Sequence, residues 1–234
     1  MEYPKIETLF VRDEKFNVTG KLRMPVVATI NKWQVTEKID GTNIRVMLSL
    51  DGELSFTGRT SRAQLPADLF TYLQKTFTVE KMKDVFWLPD KTTGEIKPAS
   101  VVLYAEGYGA GIQKGGGDYN REKRVRLFDV LVGGRWWLDW ENTCDVAKKL
   151  EIKTVPYLGD MSLEEIIEFV KTGFDSIVAA EEGKIRPAEG IVGRTIEPLF
   201  DKQGRRLIIK LKTGDFVKEI DLFELKKELE EMAK

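Results

Sequence analysis

The sequence of 234 residues predicts an α+β fold in which antiparallel sheets are flanked by helices. Three observations carry that reading: alternating apolar segments joined by two-residue glycine turns, short segments of helical periodicity among them, and no low-complexity or Pro/Ser-rich linker dividing the chain. Residues 43–50 and 53–57 flank Asp51-Gly52, and residues 125–132 and 135–139 flank Gly133-Gly134, so each pair reads as a hairpin. Strands near 100–106 and 206–212 extend the sheets. Helices are expected at about 66–82, 143–150 and 162–172. The last has Ser162 as N-cap, Glu165 in the capping-box position, Leu163, Ile166, Ile167 and Val170 as its apolar stripe, and Gly173 as its stop. Residues 87–100 and the Gly-rich stretch 107–118 read as loops. The tail over 217–232 reads as an amphipathic helix with Val217, Ile220, Leu222, Phe223, Leu225 and Leu229 as its apolar members.

Composition narrows the chemistry. Apolar residues make up 42% of the chain, enough for a folded core, and no apolar run approaches the roughly 18 residues of a membrane span. The start, Met1-Glu2-Tyr3-Pro4, lacks the features of a secretory signal, so a cytoplasmic protein without membrane association is expected. The one cysteine, Cys144, cannot form an intrachain disulfide, and the absence of histidine excludes Ser-His-Asp triads, HExxH sites and Cys/His zinc clusters. Any catalysis falls to Lys, Arg, Asp and Glu. With 37 basic and 38 acidic residues, a polyanion would have to meet local patches: Lys114 with Arg121, Lys123, Arg124 and Arg126, or Lys202, Arg205, Arg206, Lys210 and Lys212. Taken alone, either patch reads more readily as a solvated face.

The hexapeptide Lys38-Ile39-Asp40-Gly41-Thr42-Asn43 places an amine two residues from a carboxylate. Asp-Gly is turn chemistry, and by itself the segment reads as a surface turn. Lys38 is also the candidate nucleophile, because a lysine amine attacks once a folded site favours its neutral form. Arg59 could bind a phosphate or ribose, or be a loop arginine. Glu106, at a strand end before Gly107, suits a ribose hydroxyl or a metal, or a solvated terminus. Phe128 lies on the strand face opposite Leu127 and serves either a stacked base or the core. Glu189 opens an apolar strand and could complete a magnesium site. Along Leu207 to Lys212, Leu207, Ile209 and Leu211 share one face while Lys210 and Lys212 share the other, as a phosphate clamp or an exposed strand.

In this order, KxDG at Lys38 to Gly41, Arg59, Glu106, Phe128, Glu189-Gly190-Ile191-Val192 and Lys210 to Lys212, the chain resembles the covalent nucleotidyltransferase superfamily of polynucleotide ligases and RNA-capping enzymes. Asn43, where DNA ligases and capping enzymes usually have arginine, and the segment Glu106 to Gly116 make it similar to RNA ligases of the double-strand-repair type. The resemblance implies an ATP-grasp-like ligase adenylation domain over residues 1–216, a C-terminal helical tail over 217–234, and no OB-fold. It also implies that Lys38 becomes adenylylated with help from Asp40, that Glu37 and Phe128 hold adenine, and that Arg59 and Glu106 hold ribose or phosphate. Asn43 and Glu189 would serve the metal's water shell, and Lys210 and Lys212 the α-phosphate. The implied cofactors are ATP and Mg²⁺ or Mn²⁺, and the implied partner is RNA with 3′-hydroxyl and 5′-phosphate ends, bound by a monomer with or without an accessory protein. A DNA ligase, a polynucleotide 5′-adenylyltransferase and a non-catalytic adenylate-binding protein remain alternatives, and GTP is not excluded.

Overall fold

Alternation of apolar and polar residues resolves into two main sheets, each sealed on one face by its own core. The computed structural model describes residues 1–89, 92–216 and 222–232. The chain divides into unit one, Met1–Tyr3 with Asp40–Val155, and unit two, Pro4–Ile39 with Pro156–Lys234. From Pro4 to Ile39 it forms β1 (Glu7–Thr8), β2 (Phe10–Arg12), β3 (Val18–Leu22) and β4 (Trp33–Lys38). From Asp40 to Val155 follow β5 (Thr42–Leu48), β6 (Leu54–Gly58), α1 (Ala67–Thr76), α2 (Val79–Phe86), β7 (Trp87–Pro89), β8 (Ile96–Pro98), β9 (Val101–Tyr108), β10 (Arg124–Val132), β11 (Trp136–Trp137), α3 (Trp140–Lys149) and β12 (Lys153–Thr154). The remainder supplies β13 (Tyr157–Met161), α4 (Leu163–Thr172), α5 (Ile177–Ala180), β14 (Gly190–Thr195), β15 (Ile208–Lys212) and α6 (Phe223–Met232).

In unit one the sheet runs β11-β10-β9-β5-β6, with β12 parallel to β10 and the other pairings antiparallel. Ile44, Val46, Leu103, Ala105 and Leu127 face a core closed by Leu69 and Leu73 of α1, Met82 and Phe86 of α2, and Val146 and Ala147 of α3. Period-two alternation therefore leaves Asn43, Arg45, Tyr104, Glu106 and Arg126 on the other face. Both expected hairpins form, and Gly133 and Gly134 adopt positive φ at the turn between β10 and β11.

Three local expectations change. The single helix expected over 66–82 is two helices, because Phe77 is extended and buried and the Thr78 hydroxyl accepts the Lys81 N–H to start α2. The run Thr76-Phe77-Thr78-Val79 is β-branched or aromatic throughout, which weakens helix continuation and supplies the cap. The loop expected over 87–100 contains the β7–β8 hairpin. α3 begins earlier than expected because Asp139 accepts the Asn142 N–H at 2.8 Å.

In unit two the sheet runs β1-β15-β14-β4-β13, with β1 parallel to β15. Trp33, Val35, Ile191, Ile209 and Leu211 pack on Leu163, Ile166, Ile167 and Val170 of α4 and on Leu9, Phe10 and Leu22. The Ser162 hydroxyl accepts the Glu165 N–H at 3.2 Å while the Glu165 carboxylate accepts the Ser162 N–H at 2.7 Å, and Gly173, with φ 80, closes the helix. Leu225 of α6 is buried, and Leu229 of α6 and Leu222 just before it pack against the same core, whereas Phe223 is exposed. Val217 and Ile220 lie outside the described residues. Among the described residues no helix is long and apolar enough to cross a membrane.

The capping box makes a direct prediction. Ser162→Ala lowers stability by about 1 kcal/mol, read as a fall in thermal-unfolding midpoint; an unchanged midpoint would show that the box contributes nothing.

Candidate active site

Lys38 ends β4, and the register sets it level with Gly190 of β14, which is level in turn with Lys212 of β15. Glu189, one residue before Gly190, places Oε2 2.5 Å from Lys38 Nζ and Oε1 2.7 Å from Lys212 Nζ. Two ammonium groups at one level of a sheet repel, and the carboxylate between them removes that cost. Burial pushes the Glu189 carboxyl up, but Lys38 and Lys212 outweigh it and hold the group below its usual range. Lys210 lies on the same face, level with Val192. Burial, reinforced by the charges of Lys38 and Lys212, pushes its ammonium below the ordinary lysine range. The two-faced reading of β15 therefore holds: Leu207, Ile209 and Leu211 are buried and both lysines are half-buried.

The backbone at Glu189 is tightly specified. Gly190 has φ 150, and a Cβ there would collide with the Leu211 carbonyl and lie 2.7 Å from Lys212 Cα. The Thr213 hydroxyl donates to the Ala188 carbonyl at 2.8 Å, and the Thr213 N–H to the Glu189 carbonyl at 3.0 Å. Asp215 accepts the Lys212 N–H at 3.1 Å with one oxygen and pairs with Arg12 at 2.5 Å with the other. Sequence reasoning missed Arg12 and Asp215; the only local signal is a carboxylate three residues beyond Lys212.

Glu37 does not share the Lys38 face. Only 1% exposed, its carboxylate accepts bonds from the Ser176 hydroxyl at 2.5 Å and from the N–H groups of Ile177 and Val178 at 2.9 and 3.4 Å. The side chain expected at adenine thus anchors the first turn of α5 beneath the strand that carries Lys38.

In unit one, Asn43, Glu106 and Arg126 sit side by side on β5, β9 and β10. The Asn43 amide oxygen is buried without a hydrogen-bond partner. Arg126, which sequence placed in a basic patch, is buried instead, donating to the Tyr108 hydroxyl at 3.3 Å and the Thr154 carbonyl at 3.1 Å. Gly41 is needed where the backbone closes on β9, since a Cβ would strike the Gly107 carbonyl and lie 2.9 Å from Glu106 Cγ. The Asp40 N–H donates to the Tyr119 hydroxyl at 3.2 Å. Arg59 is exposed directly after β6. Phe128 is the extra residue of a bulge in β10, 9% exposed, with the Tyr3 ring edge-on at 5.1 Å. The Tyr3 hydroxyl donates to Asp129 at 2.8 Å, a support that sequence reasoning also missed. Burial raises the Cys144 thiol against an opposing hydrogen bond from Thr154, in keeping with its exclusion as a nucleophile.

Among the described residues no three carboxylates or thiols cluster as a metal cage. The Glu189 carboxylate in unit two and, separately, the orphaned Asn43 amide oxygen in unit one are hard oxygens. Each is a donor of the kind that suits Mg²⁺ or Mn²⁺, ions that keep waters and phosphate oxygens in their shell.

The fold is that of RNA ligase nucleotidyltransferases. A lysine-to-alanine variant of Naegleria gruberi RNA ligase with ATP and Mn superposes with TM-score 0.63 at 17% identity, covering 92% of this chain and 58% of that one. The same enzyme with pyrophosphate gives TM-score 0.62 at 17% identity over the same shares, and a glutamate-to-alanine variant with AMP and Mn gives 0.63 at 18%. The chain therefore spans about three fifths of the length of these solved relatives. Within this class, the RNA ligase family profile matches residues 31–212, and the chain belongs to that family.

Two predictions test the lysine clamp. The Glu189 carboxyl lies below its ordinary value of 4.5 in the folded state, so its stabilisation is fully present above that value and is lost as pH falls through the folded one. The stability gap between the protein and Glu189→Gln, about 1 kcal/mol near neutrality, therefore closes under acid; a gap independent of pH would overturn the ion-pair account. Asp215→Ala removes the ion-pair partner of Arg12 and the acceptor of the Lys212 N–H and costs about 1–3 kcal/mol, measured by denaturant unfolding, with Asp215→Glu recovering part of the loss.

Proposed function

We propose that this protein is an ATP-dependent RNA ligase that joins 3′-hydroxyl and 5′-phosphate ends, in nicked or template-bridged duplexes, through a covalent Lys38–AMP. The observation that carries the reading is the Glu189 carboxylate holding Lys38 and Lys212 at 2.5 and 2.7 Å in a chain of the RNA ligase family. The Naegleria gruberi structures with ATP, AMP and Mn support ATP and a divalent ion as its cofactors.

In the first step the Lys38 amine, having lost its proton to solvent and given up its bond to Glu189, attacks the α-phosphorus of ATP. A nitrogen–phosphorus bond forms, the bond to the bridging oxygen breaks, and pyrophosphate leaves. An oxygen of the RNA 5′-phosphate then displaces Lys38 and takes the AMP. The 3′-hydroxyl finally attacks that activated phosphate, forming the phosphodiester and releasing AMP. Phosphoryl transfer asks the protein chiefly for positioning and charge neutralisation.

Lys210 and Lys212 take the α-phosphate charge. Lys210 is suited to this because it is half-buried among like charges, so an anion relieves its cost. Glu189 and Asn43 each serve the metal's water shell, where Asn43 has an unused amide oxygen. The bound ion supplies charge neutralisation at the phosphates. Arg59 and Glu106 hold ribose or phosphate, Phe128 stacks on adenine with its ring fixed by Tyr3, and Asp40 orients the lysine segment. Glu37 supports Lys38 through α5 in place of the adenine contact.

Incubation with ATP and magnesium should add one AMP to the protein by intact mass and none to Lys38→Ala, whose circular dichroism stays unchanged. AMP on that variant would move the nucleophile elsewhere. Sealing of nicked RNA in preference to nicked DNA completes the test, and the reverse preference would make it a DNA ligase.

A further inference from the structure

Unit one has a groove that the adenylylation chemistry leaves unused. It runs between α1 and the segment entering β10 and has a volume of about 640 Å³, open mouth included. Four cations, Lys75, Arg121, Lys123 and Arg124, face two carboxylates, Asp68 and Glu122, in a chain whose net charge is −1. Two of the cations have structural duties. Lys123, with a side chain only 13% exposed, pairs with Asp68 at 3.1 Å and bonds the Ala110 carbonyl, which ties α1 to the neighbouring loop. Arg124 pairs with Glu122 and lies 5.5 Å from the centroid of the Tyr72 ring. Lys75 on one wall and Arg121 on the other are exposed and have no ion-pair partner among the described residues.

We propose that this groove binds the phosphate backbone of the RNA strand being joined, outside the ATP chemistry. The charge surplus belongs to two exposed side chains on opposite walls, each available to a phosphate. The guanidinium of Arg124 over Tyr72 offers a flat cationic surface of the kind on which unpaired bases stack. Part of this was visible in sequence as Lys114, Arg121, Lys123, Arg124 and Arg126, but folding withdraws Arg126 into the sheet and brings in Lys75 and Tyr72 from α1. The inference rests on the RNA ligase reading, and its test separates the two.

The full chain carrying Lys75→Glu and Arg121→Glu is compared with the unaltered protein for binding of a 5′-phosphorylated RNA oligonucleotide, by fluorescence anisotropy over a series of salt concentrations. AMP loading is followed in parallel by intact mass. The expected result is RNA affinity weaker by about tenfold or more and a plot of log affinity against log salt flattened by about 1.4, two phosphate contacts at about 0.7 each, with AMP loading unchanged. Lys171→Glu on α4, which does not line the groove, serves as the charge control and leaves RNA affinity as it was. Equal affinity and equal salt slope for the double variant and the unaltered protein overturn the groove. Absence of AMP loading in the unaltered protein overturns the ligase reading instead, whatever the groove variant does to RNA.

Discussion

One carboxylate held between two ammonium groups orders the chemistry of unit two. Lys38 and Lys212 come from β4 and β15, strands that do not touch, and β14 lies between them. Their charges can be held at one level only if the intervening strand presents a carboxylate there and stays thin enough not to push its neighbour away. Glu189 supplies the first condition and Gly190 the second, at a backbone angle that a side chain would strain. Thr213, Asp215 and Arg12 then hold the strand ends whose displacement would pull the trio apart.

Adjacent residues on β4 show how a single strand divides its labour. Glu37 and Lys38 point to opposite faces because the strand repeats every two residues. Glu37, nearly excluded from water, has its carboxyl oxygens satisfied by a hydroxyl and by the N–H groups of a helical first turn. Lys38 is held by the shared carboxylate on the other side. Unit one repeats the division: the sheet face toward its core is aliphatic, and the other face bears Asn43, Arg45, Glu106 and Arg126.

What was legible in sequence was mostly what is encoded locally. α4 can be read from end to end because Ser162, Glu165 and Gly173 state its limits within its own length. The β15 faces can be read because alternation survives folding. The break between α1 and α2 was overlooked although Thr78 marks it, since the apolar spacing runs on across it. The supports of the site were illegible for a different reason. Arg12 reaches Asp215 over 203 positions, Ser176 reaches Glu37 over 139, and Tyr3 reaches Asp129 over 126. Pairings of that span leave no periodic trace in one chain. Glu37 shows the converse, since its place beside Lys38 in sequence says nothing about which way its side chain turns.

The route of the backbone has its own consequence. It passes between the units after Tyr3, after Ile39 and after Val155, twice entering unit two at a proline, Pro4 and Pro156. Each unit is therefore stitched from separated stretches, and no single excision releases either one whole. The second crossing falls inside Lys38-Ile39-Asp40-Gly41, so a gene break placed there would sever the signature that supplies the amine.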